Sequence, residues 1–132
     1  MTDAERFEFT RLFVGALAAV QPEQEQGKPV PFDPRAFAEV VAEEAKRDNR
    51  IAMRFAVFPT VSGKRCPDFQ YGLTIAQSAG LISRQNPSFE SFSVLMPPRQ
   101  RRELEGHSLF QNARSIAQLY LEATLGLKQA VA

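Results

Sequence analysis

Apolar residues recur at three- and four-residue intervals early in the chain, at Phe9, Leu12, Phe13, Ala16, Leu17 and Val20. That spacing predicts a helix over residues 3–20 with one buried face. Thr2 and Glu5 precede it at capping-box spacing, the threonine hydroxyl accepting from the Glu5 backbone and the glutamate reaching back. Pro22 stops it, and the stretch QPEQEQGKPVP reads as a polar connection. A second helix is predicted over 33–48. Asp33 is placed as its N-cap, Pro34 at its first turn, and Phe32 to staple against Phe37. Phe37, Val40, Val41 and Ala45 form its inward stripe, leaving Glu39, Glu43, Glu44, Lys46 and Arg47 for a solvated face.

Residues 50–58, RIAMRFAVF, fit two periods. Ile51, Met53, Phe55 and Val57 alternate as in a strand, whereas Ile51, Phe55 and Phe58 fit a helix; the Ala, Met and Arg content tilts the reading towards helix. Pro59 ends the segment, and TVSGKRC reads as an exposed basic loop. Pro67-Asp68 opens another helix with Phe69, Leu73 and Ala76 inward, and Gly80 supplies its left-handed stop. Two short strands follow, near 81–85 and 89–95, around Asn86-Pro87-Ser88. RQRRELEG then reads as a polar turn of helix or a loop. Ser108 to Gln111 repeats the capping-box spacing ahead of a last helix reaching about Leu125, ended by Gly126.

The fold class expected is therefore mainly α with a small β-hairpin, an α+β chain, with a small helical bundle as the alternative. A length of 132 residues with 44% apolar and 23% charged residues fits one globular domain over 1–132. No apolar run approaches a membrane span, and Thr2 to Glu8 lacks the basic start of a signal peptide. One cysteine, Cys66, fits a reducing compartment, so the chain reads as cytoplasmic.

Charge changes the picture more than composition does. Residues 1–48 hold 6 Lys/Arg against 10 Asp/Glu, net −4; residues 49–114 hold 9 against 4, net +5; the remainder is neutral, giving the overall +1. A basic middle beside an acidic start points to an anionic partner or to neutralisation within the fold.

Candidate chemistry is sparse. Cys66 sits before a helix start, where the dipole lowers a thiol's pKa, and His107 is the only imidazole. Nothing in their spacing brings them together. One His and one Cys do not make a zinc set, and Gly63-Lys64 lacks the rest of a phosphate loop. Glu103 and Glu105 read as local ion pairs with nearby arginines. The chain is read as non-catalytic, with no cofactor and no metal.

The order of helix, Gly80-Leu81-Ile82, hairpin and Arg-rich turn resembles the second half of winged-helix domains of bacterial regulators. Leu73, Ala76, Gly80, Leu81, Ile82, the hairpin Phe89 to Leu95 and the segment Arg99 to Leu104 carry the resemblance, over about residues 66–106. It implies a winged-helix-like part within 50–106, with the helix Asp68 to Ala79 placed as a recognition helix and the hairpin as the wing. Gln70, Thr74 and Gln77 would then read base edges, while Lys64, Arg65, Arg84, Arg99, Arg101 and Arg102 would contact phosphate. Two features differ from the pattern. The recognition helix carries no Lys or Arg, and the connection from Asp48 to Asp68 exceeds a helix-turn-helix turn.

Two functions are expected on this basis. One is a DNA-binding regulator, homodimeric through the broad apolar face of the last helix (108–126), with Ile116, Leu119 and Tyr120 in the interface. The other is a non-catalytic adaptor or inhibitor that binds protein with the same fold.

Overall fold

Helix α1, Asp3–Val20, begins at the expected capping box: the Glu5 N–H donates to Thr2 Oγ1 at 3.2 Å and the Thr2 N–H to Glu5 Oε1 at 3.3 Å. The computed structural model to which it belongs describes residues 2–21, 29–84 and 91–125. The expected features at Pro22, Asn86-Pro87-Ser88, Phe89 and Gly126 lie outside the described residues, as do the side chains of Phe69 and Arg84.

One apolar face was expected of α1, but Val14 and Ala18 are buried along with Phe9, Leu12, Phe13, Ala16 and Leu17. The reason is its central position. Helices α4 (Pro67–Ser78), α5 (Pro98–Leu104) and α6 (Phe110–Leu125) all pack against it.

Helix α2, Pro34–Arg47, starts as read, with Asp33 Oδ1 accepting from the Ala36 N–H at 3.0 Å. The ambiguous segment divides between both assignments. Helix α3, Asn49–Arg54, is capped by Asp48, which accepts from the Arg50 N–H at 2.9 Å. It buries Ile51, and just beyond it Phe55 stands edge-on to Phe9, ring centres 4.7 Å apart. The chain then extends. Strand β2, Phe58–Thr60, pairs antiparallel with β3, Gly63–Arg65, so the expected loop is a hairpin that runs into α4 through Cys66.

A strand missing from the sequence reading, β1 (Val30–Pro31), lies in the supposed polar connection. It pairs with β5, Ser91–Val94, which also pairs with β4, Ile82–Arg84, giving the antiparallel order β1-β5-β4. Pro31 is tolerated there because an edge strand need not donate on its outer side. The fold is thus mainly helical with small antiparallel sheets of two and three strands, an α+β architecture as expected.

Helix α6 starts at Phe110 rather than at the Ser108 capping box. The side chain that serves its start is His107, whose Nδ1 accepts from the Leu109 N–H at 3.0 Å. Phe13, Phe37 and Tyr120 form an edge-to-face cluster with ring centres 5.2 to 6.3 Å apart, joining α1, α2 and α6 at the heart of the core. Full burial of such side chains contributes about 1.5–3 kcal/mol each.

Candidate nucleic-acid interface

Helix α4 is set against α1 by apolar burial, by close approach and by charge. Leu73 and Ala76 are fully buried. At Gly72 an added Cβ would collide with Thr10 Oγ1, so the two helices meet there at a distance only glycine permits. At the helix start, Arg6 Nε donates to Asp68 Oδ1 at 2.8 Å, and the Arg6 guanidinium carbon stands 4.9 Å from the centre of the half-exposed Tyr71 ring.

The far end is fixed by Gly80 at φ +78°. The Leu81 N–H donates to the Ala76 carbonyl at 2.9 Å and the Gly80 N–H to the Gln77 carbonyl at 3.0 Å, the paired bonds of a Schellman turn. A side chain in that backbone region costs about 1–2 kcal/mol. The Leu81 carbonyl then accepts from the Leu95 N–H at 2.8 Å, so the sheet begins where the helix ends. Gln70, Thr74 and Gln77 all remain exposed on this anchored helix. The Thr74 hydroxyl donates to the Gln70 carbonyl and the Ser78 hydroxyl to the Thr74 carbonyl, each at 3.2 Å.

Of the six cations expected to form one basic surface, the five with described side chains have different surroundings. Arg99 and Arg102 on α5 are exposed, and among the described residues neither pairs with Glu103 or Glu105, contrary to the expectation of local ion pairs. Arg101 turns inward, Nη1 to the Ala18 carbonyl at 3.5 Å, against the C-terminal end of α1. Arg65 donates to the Lys64 carbonyl and to Ser62 Oγ, both at 3.1 Å. Lys64 borders an open cleft of about 520 Å³ with Glu39, Val40, Glu43, Leu119, Glu122 and Ala123. Two of those carboxylates are paired along α2 itself, Glu39 with Arg35 at 3.5 Å and Glu43 with Lys46 at 3.2 Å. Strand β3 packs on α2 whereas α5 packs on α1.

The proposed dimer residues need correction. Ile116 and Tyr120 are fully buried within one copy of the chain, and only Leu119 reaches the surface, as part of the Lys64 cleft. The breadth of the apolar face on α6 has an internal cause: the helix packs on α1 and α2 and meets β1.

Glu44, assigned to a solvated face, is also buried. Asn112 Nδ2 donates to Glu44 Oε2 at 2.8 Å, Ser115 Oγ to Oε1 at 3.0 Å, and Arg47 Nη1 lies 3.8 Å from Oε1. Asn112 also donates to Asp48 Oδ2 at 3.1 Å, and Arg50 clasps Asp48 with Nη2 at 2.8 Å. The Arg50 guanidinium holds the Asp48 carboxyl well below the usual carboxylate range, helped by the Arg50 N–H and Asn112. The signal available in the sequence was a polar pair, Asn112 and Ser115, on the inward side of a strongly apolar helix.

Cys66 is buried at the N-cap of α4. His107 Nε2 lies 2.9 Å from Glu8 Oε1 while its Nδ1 takes the Leu109 N–H, so both ring nitrogens are engaged, neither by Cys66. No group of three or more His, Cys, Asp or Glu side chains converges among the described residues, and none of the described helices is long and apolar enough to cross a membrane.

Comparison with protein-family models gives no match, and comparisons with curated proteins and with solved structures give none either.

Proposed function

We propose that the chain is a winged-helix-like, DNA-binding regulator in which α4 enters the major groove and the β4–β5 hairpin lies beside it as a wing. The observation that carries this reading is the exposed stripe Gln70, Thr74 and Gln77 on a helix locked at both ends and continuous with a three-stranded sheet. Recognition by side chains in a groove needs that rigidity, because each misplaced hydrogen-bond partner forfeits its contribution. Arg99 and Arg102 are the cations best placed by exposure to meet phosphate, with Arg65 ahead of α4. Helix α3 and the β2–β3 hairpin then form an insertion between the two helices of the unit, in place of a short turn.

The experiment is a titration of a fluorescent random-sequence duplex at ~50 mM salt. Binding with Kd of about 1–100 μM, weakening as salt rises, is the expected result. No binding at ~100 μM protein removes the regulator reading. One observation favours the second reading, a protein-binding adaptor or inhibitor: Phe58 and Val61 are exposed on the β2–β3 hairpin. Failure to bind DNA would leave that hairpin as the next surface to test.

A further inference from the structure

Resting on the DNA reading above, we infer that α4 selects A·T base pairs, through the carboxamides of Gln70 and Gln77 with the Thr74 methyl group between them.

The chemistry of the exposed face has no reader for G·C. A bidentate contact to guanine O6 and N7 takes Arg or Lys, and a contact to the cytosine amino group takes a carboxylate. Helix α4 contains neither Lys nor Arg, and its one acid, Asp68, is held by Arg6 at 2.8 Å. What the face does carry is a pair of carboxamides. Each presents a donor and an acceptor side by side, the complement of adenine N7 and N6–H in the major groove.

The hydroxyls narrow the choice further. Thr74 Oγ1 gives its proton to the Gln70 carbonyl and Ser78 Oγ gives its proton to the Thr74 carbonyl. With the Thr74 hydroxyl turned into the helix, its methyl is the group left to meet a base, and the matching base feature is the thymine methyl. Spacing completes the match. Gln70 and Gln77 lie seven residues apart on one stripe, about 10 Å along the axis at 1.5 Å per residue. That is roughly three base-pair steps of 3.4 Å for a helix lying along the groove.

Two duplexes of equal length test this, one with A·T pairs throughout a central six-base-pair window and one with G·C pairs there, titrated under identical salt. The A·T duplex is expected to bind at least roughly tenfold tighter, the scale of one bidentate contact. Gln70→Ala and Gln77→Ala should each lower the preference without changing the salt dependence, and 7-deazaadenine in the window should weaken wild-type binding. Gln70→Arg should move the preference towards G·C. Equal binding of the two duplexes by the wild-type protein overturns the inference and leaves the DNA reading standing. A preference that survives the Gln70→Ala, Gln77→Ala double variant overturns it too, assigning the effect to groove shape. Binding of neither duplex at ~100 μM overturns both the inference and the reading beneath it.

Discussion

The hydroxyl of Tyr120 bridges two backbone groups on a segment nearly ninety residues earlier, donating to the Pro31 carbonyl at 2.6 Å and accepting from the Asp33 N–H at 2.9 Å. One phenol therefore fixes the end of β1 and the N-cap of α2 against α6. Because β1 is only two residues long, this anchor compensates for a ladder too short to hold itself. Tyr120→Phe is expected to cost about 1–3 kcal/mol in urea unfolding, since both backbone groups lose their partner in a buried site. Tyr120→Glu should unfold the chain, placing a carboxylate in a fully buried site.

The same phenol makes stability fall at high pH. Burial pushes the Tyr120 pKa far above its ordinary value of 10.0. A group held neutral in the fold contributes its full stability below the unfolded pKa, and that contribution is lost as pH rises from about 10 towards the folded value. Thermal melts from pH 8 to 11 should show this decline, and it should be shallower in Tyr120→Phe. Asp48 works in the opposite sense: Arg50 depresses its pKa below the ordinary 3.8, so its contribution is present above that value and lost as pH falls from there towards the lower folded value.

Glu44 and Asn112 form a second long-range tie, joining the end of α2 to the start of α6. Asn112→Ala leaves a buried carboxylate short of one donor and is expected to cost about 1–3 kcal/mol. Glu44→Gln should cost less, because its carbonyl oxygen still accepts from Asn112 Nδ2 and its amide nitrogen can donate to Ser115 Oγ, leaving the lost charge opposite Arg47 as the main change. A double-mutant cycle with Glu44→Ala and Asn112→Ala should show a coupling of about 1 kcal/mol or more; additive losses would mean that the two side chains act separately.

The Gly72 and Thr10 pair tests how tightly α4 is seated. Gly72→Ala drives a methyl into the Thr10 hydroxyl, and forced separation of packed helices costs about 1–3 kcal/mol. Thr10→Ala removes the colliding oxygen and leaves the residue-10 Cβ, at 3.2 Å, as the next neighbour in the added Cβ's path, a tight contact that a small shift relieves, so the double variant should recover most of the loss. Unfolding midpoints of the four proteins would decide it, and no recovery would place the strain elsewhere.

Local signals explain which parts of this architecture were legible beforehand. The Thr2–Glu5 box, the Asp33-Pro34 start and the Gly80 stop each lie within a few residues of the element they shape, and all appear as read. Strand β1 was hidden because its two residues are fixed by Phe92 and Ser91 across the fold, with no alternation of their own to show. Glu44 was misassigned for the same kind of reason. Helical position alone cannot reveal that Asn112 and Ser115 wait on another helix to receive a carboxylate. The exposure of Gln70, Thr74 and Gln77 followed correctly from the inward spacing of Leu73 and Ala76. The grouping of cations did not follow, since it depends on where β3 and α5 settle.

That divided grouping sets the last expectation. If Arg99 and Arg102 each neutralise a phosphate, replacing both with Ala should reduce the magnitude of the slope of log K against log salt by about 1.8, at roughly 0.9 per contact. Lys64 borders the same cleft as Glu39, Glu43 and Glu122, carboxylates that disfavour the approach of a phosphate, so Lys64→Ala should leave the slope within error of wild type. Arg101 is turned towards the Ala18 carbonyl, so Arg101→Ala should act mainly on stability. Binding isotherms at four or more salt concentrations for the three variants separate these effects. A slope change for Lys64→Ala as large as that for the Arg99, Arg102 pair would mean that the acidic cleft opens when DNA binds, which contradicts the division of cations drawn here.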